Sequence, residues 1–116
     1  MSFPNPQTTK EISIHDAASL IDHAEQSFLL VDCREPDEFE ICSIEGADLA
    51  PLSNFEMEIE TLFIDESDRA LVYCHHGSRS LKAVEFLRSK GYQNTFSVKG
   101  GIDLWAQEID TTLTRY

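Results

Sequence analysis

Apolar residues in this chain come in two patterns, short continuous runs and runs spaced three or four apart. Phe28-Leu29-Leu30-Val31 is a continuous run, as expected of a strand buried in a parallel sheet. Ala70-Leu71-Val72-Tyr73 reads the same way, Thr95-Phe96-Ser97-Val98 predicts the last strand, and Glu11-Ile12-Ser13 and Ala47-Asp48-Leu49-Ala50 predict two shorter strands, the second closed by Pro51. Between the strands the spacing is helical. Ile14, Ala17, Ala18, Ile21 and Ala24 fall on one face, behind Ser13 and Asp16, which form a capping-box signature. Glu35 to Glu40 predicts a short acidic helix with Pro36 in its first turn and Phe39 and Ile41 turned inward. Ser53 and Glu56 form a second capping-box signature, ahead of the stripe Phe55, Ile59 and Leu62. Leu81, Val84 and Leu87 oppose Lys82, Glu85 and Arg88 on a helix that ends at Lys90-Gly91. Gly100-Gly101 turns into a last short helix with Leu104 and Trp105, the tryptophan assigned to the core. Strands and helices alternating in this order predict an α/β fold, a parallel sheet with helices on both faces and right-handed crossovers. Residues 1–10 read as an N-terminal tail, 11–108 as a single domain, and 109–116 as a polar C-terminal tail that the pattern does not place.

The chemistry gathers where the strand Ala70–Tyr73 stops at Cys74 and a loop leads into the helix after Ser80. In open α/β sheets, ligands bind at the C-terminal ends of strands. A helix N-terminus offers unpaired N–H groups and the positive end of the macrodipole, so a thiol beside it has a lowered pKa. Gly77 lets successive amides turn inward as an anion nest, Arg79 adds a permanent positive charge, and Ser78 or Ser80 is placed to cap the helix. His75 and His76 lie in the same loop. The plain reading gives them as backbone donors with rings facing solvent; a proton-transfer role is the alternative. Asp32 ends a buried strand and needs partners, either the amides of the cysteine loop or Arg34. Arg34 is expected to form a structural ion pair with Glu35 or Glu38. Cys33 alternates away from Asp32 and reads as a packed thiol, with redox partnership to Cys74 as the alternative.

Charge and cysteine count narrow the classes. The 116 residues carry a formal net charge of −12, which argues against nucleic acid and against anionic lipid. Three cysteines with no C-x-x-C pair indicate neither a disulfide framework nor a zinc site. His15 and His23 read as exposed helix residues, and Asp65-Glu66-Ser67-Asp68 as a solvated turn. The opening Met1-Ser2-Phe3-Pro4-Asn5-Pro6 lacks a basic region followed by an apolar run, and no apolar stretch reaches membrane-spanning length. With a thiolate that needs a reducing compartment, this predicts a cytoplasmic protein.

Three stretches together carry a resemblance. Cys74-His75-His76-Gly77-Ser78-Arg79 fits C-x-x-G-x-R, Asp32-Cys33-Arg34-Glu35-Pro36-Asp37-Glu38-Phe39 fits D-x-R-E-x-x-E-F, and Gly91-Tyr92, Gly100-Gly101 and Trp105 fit a closing G-Y, G-G and W pattern. The chain thus resembles rhodanese-like sulfurtransferases from about Glu11 to Trp105, although Cys42-Ser43 stands where the family carries Gly-His. The resemblance implies a three-layer rhodanese-like fold on a five-stranded parallel sheet. It further implies a Cys74 persulfide cradled by His75, His76, Gly77, Ser78, Arg79 and Ser80, with Asp32 and Arg34 in support. The implied reaction moves sulfane sulfur from a small donor such as thiosulfate to cyanide or a thiol, or to an acceptor protein, by ping-pong kinetics. No metal or organic cofactor is implied. The alternative from the same resemblance is a sulfur-carrier or protein-interaction module with little small-molecule turnover. A phosphatase or arsenate reductase of related fold is disfavoured by loop length. Cysteine phosphatases use C-x5-R, whereas here Ser80 stands at that arginine position and the shorter ring suits a single sulfur atom.

Overall fold

The computed structural model describes residues 3–23, 27–63 and 65–116. Ala24, assigned above to a helix face, lies outside the described residues, as do Met1 and Ser2 of the tail. In chain order the elements are β1 (Glu11–Ile12), α1 (Ile14–His23), β2 (Leu29–Asp32), α2 (Pro36–Ile41), β3 (Asp48–Leu49), a 3-10 turn (Leu52–Asn54), α3 (Phe55–Leu62), β4 (Ala70–Tyr73), α4 (Ser78–Ser89), β5 (Thr95–Val98) and α5 (Gly101–Glu108). The five strands form one sheet in the order β1-β5-β4-β2-β3, with every pairing parallel. The predicted α/β class and five-stranded sheet are borne out. Among the described residues, no helix is long and apolar enough to cross a membrane.

Alternation along the strands sorts the core into two layers. Leu30, Leu71, Tyr73, Phe96 and Val98 face α1 and α5, meeting Ile14, Ala17, Leu20, Ile102 and Trp105. Val31, Cys33, Val72 and Cys74 face α3 and α4, meeting Phe55, Ile59, Ala83, Val84 and Leu87. Leu20, Leu71 and Leu87 are fully buried, and each such side chain contributes about 1.5–3 kcal/mol through removal from water. Trp105 lies in the first layer, in the core as expected.

Several local expectations are corrected. Ile41 is 44% exposed and α2 buries no residue, so Ile41 does not pack inward. Ser53 does not cap α3. The helix is preceded by the 3-10 turn, and the Ser53 hydroxyl donates instead to Glu35 Oε1 at 2.6 Å. Arg88, placed opposite the apolar stripe of its helix, is half-buried. Its guanidinium donates to the carbonyls of Pro6, Thr9 and Thr95 at 2.7, 2.9 and 2.7 Å, which ties the N-terminal segment to β5. Phe3 adds an edge contact to Phe28, with ring centroids 5.5 Å apart.

Candidate active site

Cys74 follows β4, the strand paired with β2 and β5, and its side chain is buried. Gly77, with φ of +108°, reverses the chain and opens α4. A Cβ there would come within 3.2 Å of the Gly100 backbone nitrogen, so glycine is required both by φ and by space. The reversal points two amides at the sulfur. Gly77 N–H and Ser80 N–H donate to Cys74 Sγ at 3.1 and 3.2 Å. The Ser80 hydroxyl lies 3.4 Å from Sγ.

A second helix holds the loop from behind. The first amides of α5, at Ile102 and Asp103, donate to the carbonyls of Cys74 and His75 at 2.9 and 3.0 Å. With these carbonyls turned toward α5, the loop's own amides are left to face the sulfur. Gly101 sits at the contact with φ of +62°, and a Cβ there would lie 2.5 Å from both carbonyl oxygens.

The electrostatics follow from these donors. The Cys74 thiol is held down at about 5, chiefly by a hydrogen bond from the Cys33 thiol, then by the Ser80 hydroxyl and the Ser80 and Gly77 amides, against an opposing effect of burial. Cys33 is pushed the other way, above the ordinary thiol range, by its hydrogen bond to Cys74 and by burial. Cys74 is therefore a thiolate at neutral pH while Cys33 stays protonated. Alkylation of Cys74 by iodoacetamide, followed by peptide mass mapping, is expected to be flat from pH 6 to 8. It should fall by half near pH 5, because protonation removes the nucleophile below that value. A half-point near the ordinary thiol value of about 8.5 would contradict this electrostatic picture.

The remaining predicted site residues are placed as follows. Arg79 spends its fork on Glu38, with NH1 and NH2 donating to the two carboxylate oxygens at 2.7 and 2.9 Å, which holds the Glu38 carboxyl at about 2. Ser78 is exposed, and neither it nor Ser80 supplies a side-chain cap for α4. The Ser80 hydroxyl instead contacts the Gly77 carbonyl at 3.2 Å and Ser97 Oγ at 2.6 Å. His76 is exposed, with Nε2 3.8 Å from Asp103 Oδ2. His75 departs from the solvent-facing reading. Its ring is stacked on Tyr116 at 3.9 Å and 5°, with His76 on a neighbouring face, also at 3.9 Å. Burial and the neighbouring His76 depress its pKa. His75, His76 and Asp103 bring potential metal-donor atoms within 4.8 Å of one another. Asp103 is also engaged by Arg115 Nε at 3.0 Å.

Asp32 and Arg34 are buried away from the sulfur. Asp32 takes the Arg34 backbone amide at 2.9 Å, Arg34 Nε at 2.9 and 3.1 Å and NH2 at 2.6 Å. Its partner is thus Arg34 and not the cysteine loop, while the loop amides of Gly77 and Ser80 go to Cys74. The ion pair of Arg34 is with Asp32 and not with Glu35 or Glu38. Strand alternation puts residues 32 and 34 on one side, and the Glu38 carboxylate goes to Arg79. Arg34 also donates to the carbonyls of Glu38 and Cys42 at 3.2 and 2.7 Å and to the Tyr116 hydroxyl at 2.9 Å.

Two contributors escaped the sequence reading. Ser97 stands on β5 beside Ser80, a buried polar residue between Phe96 and Val98, and that is the signal that marks it. Tyr116 comes from the unplaced tail. It links Arg34 to Glu38, its hydroxyl donating to Glu38 Oε2 at 2.7 Å, and so joins Asp32, Arg34, Glu38 and Arg79 in one polar network.

The chain is similar to known proteins over most of its length. The Rhodanese-like domain family model matches residues 13–108. The thiosulfate sulfurtransferase GlpE of Tolumonas auensis is 33% identical over 103 residues, which cover 89% of this chain and 93% of that protein. A rhodanese-related protein from Thermoplasma volcanium is similar in structure, with TM-score 0.74 and 31% identity over 86% of this chain and 93% of that one. The human single-domain sulfurtransferase TSTD1, at 23% identity and TM-score 0.75 over 86% of this chain and 97% of its own, shares the fold. Other curated relatives are longer. This chain spans 30% of the chloroplastic rhodanese-like/PpiC domain-containing protein 12 of Arabidopsis thaliana, at 32% identity over 75% of its own length. It spans 19% of an adenylyltransferase and sulfurtransferase of Zea mays.

Proposed function

This chain belongs to the rhodanese-like domain family, and from that premise we propose that it transfers sulfane sulfur through a persulfide on Cys74. The observation that carries the reading is the convergence of the Gly77 and Ser80 amides on one buried sulfur, at 3.1 and 3.2 Å. In the first half-reaction the Cys74 thiolate attacks the outer sulfur of thiosulfate. The S–S bond to the sulfonate breaks, sulfite leaves with the bonding pair, and Cys74 carries the persulfide. In the second, cyanide or a thiolate attacks the outer sulfur and the Cys74 thiolate departs. The amides and the Ser80 hydroxyl stabilise the negative sulfur in both halves, where preorganised donors are worth most. Arg79, neutralised by Glu38, holds α2 against the loop and adds little net charge for the donor. Ser97 steadies the Ser80 hydroxyl, and the Asp32–Arg34–Tyr116–Glu38 network fixes the walls.

Dividing the transfer in two predicts ping-pong kinetics. Initial rates at several thiosulfate and cyanide concentrations are expected to give parallel double-reciprocal lines. Lines that intersect would require both substrates bound together and would overturn the mechanism.

A second reading has its own support. The longer relatives, among them adenylyltransferase and sulfurtransferase proteins, carry a matching segment as a minor part of their length. As such a unit, the domain would pass its sulfur to a partner protein and turn over slowly with cyanide, while still forming the persulfide.

A further inference from the structure

Cys33 helps to lower the Cys74 pKa but is not itself attacked in the proposed transfer, and it is a second thiol in the same layer of the core as Cys74. The register of β2 and β4 pairs Asp32 with Tyr73, and Cys33 N–H continues the ladder to the Tyr73 carbonyl at 3.0 Å. Cys33 therefore stands directly across from Cys74. Both side chains point into the same layer of the core, and Cys33 is the leading influence that lowers the Cys74 pKa. Adjacent strands lie about 4.8 Å apart, within the Cα separation that a disulfide spans. Cys33 is fully buried, and it follows the strand paired with that of Cys74. Across the paired strands the sulfur it faces is that of Cys74.

We propose that Cys33 is an internal acceptor, which discharges the Cys74 persulfide as hydrosulfide when no external acceptor arrives. The proposal rests on the persulfide reading above. In this step the Cys33 sulfur attacks Cys74 Sγ, and a Cys33–Cys74 bond forms as the bond to the outer sulfur breaks. The outer sulfur leaves with the bonding pair and takes the Cys33 proton, departing as hydrosulfide. Two cysteines are oxidised to a disulfide, and the sulfane sulfur is reduced to sulfide by the same two electrons. Charge is conserved, because the persulfide anion becomes the hydrosulfide anion. An external thiol that attacks the Cys74 sulfur and is then displaced by a second thiol restores the two free cysteines. The domain would thereby release hydrosulfide as well as transfer sulfur. Proximity favours the step, since a reactant already held beside its target avoids the entropy of encounter.

The test follows the protein after thiosulfate has been removed. Wild type, Cys33→Ala and Cys33→Ser, each loaded with thiosulfate, are left without acceptor and sampled by intact mass and by a sulfide assay. Wild type is expected to lose the added sulfur, release about one hydrosulfide per chain, and finish two hydrogens lighter than the reduced protein. Digestion with trypsin without reductant should then give the peptide 11–34 joined to the peptide 70–79. Both variants should keep the added sulfur about tenfold longer or more. Equal persulfide lifetimes in wild type and either folded variant would overturn the proposal. If no sulfur is gained by wild type or the variants, and no disulfide or hydrosulfide forms, the persulfide reading itself fails and the proposal falls with it. The serine variant, close to cysteine in size, keeps the test open should the alanine variant fold poorly.

Discussion

Asp32→Ala is expected to cost about 3–5 kcal/mol of folding stability, although the residue touches neither the candidate nucleophile nor its loop. Arg34 and Asp32 are both fully buried, and the carboxylate takes hydrogen bonds from three nitrogens of Arg34. Truncating Asp32 leaves the guanidinium in the core without its counter-charge, and breaking one side of such a pair is far costlier than removing both. The carbonyls of Glu38 and Cys42 and the Tyr116 hydroxyl remain as partners, but none of them carries the opposite charge. Urea denaturation checks this through the midpoint at unchanged slope. The double variant Asp32→Leu with Arg34→Met should recover much of the loss. A fall of less than about 1 kcal/mol in Asp32→Ala, the level of a solvent-screened pair, would show that Arg34 is not relying on Asp32.

Gly101→Ala is expected to lower sulfur-transfer kcat/KM by about 100-fold, the scale of a 1 Å misplacement in an active site. The added methyl would sit 2.5 Å from the carbonyl oxygens of both Cys74 and His75. These are backbone atoms, so either the loop or α5 must shift. The carbonyls are then pulled off the Ile102 and Asp103 amides, and the loop loses the support that aims its own amides at Cys74. The half-point of Cys74 alkylation should rise from about 5 toward the ordinary thiol value. Gly46→Ala is the control, since φ there is +87° and a Cβ would meet nothing within 4 Å. It carries comparable backbone strain and should leave transfer unchanged. If both variants lose activity alike, general destabilisation is responsible and not the loop contact.

Much of the fold was legible because its signals are local. Continuous runs such as Leu29–Val31 and Ala70–Tyr73 have the form that two-sided burial demands. The spacing of Val84 and Leu87 marks the buried face of α4, and strand–helix alternation leaves few topologies. Cys74 and Gly77 stood out for the same reason, since a strand end, a loop and a helix start occupy one short stretch. What the sequence withheld depends on topology. Arg79 and Glu38 are 41 positions apart and meet only because β4 pairs with β2, which brings α2 beside the cysteine loop. Arg34 had acids on both sides in sequence, and the period of two at the strand end selects Asp32 over Glu35 and Glu38. Tyr116 lies in a polar segment with no periodicity, and its stacking on His75 depends on how α5 is docked. Ser97 shares a sheet face with Val72, and its role is set by the neighbouring Ser80.

The most direct test is the intact mass of the protein after brief incubation with thiosulfate, beside a Cys74→Ser control. The account predicts that wild type gains one sulfur atom, that cyanide removes it, and that the control gains none. A control that gains sulfur as readily as wild type would contradict it, because the sulfur would then be held elsewhere. A wild type that gains no sulfur and forms no internal disulfide would contradict it equally.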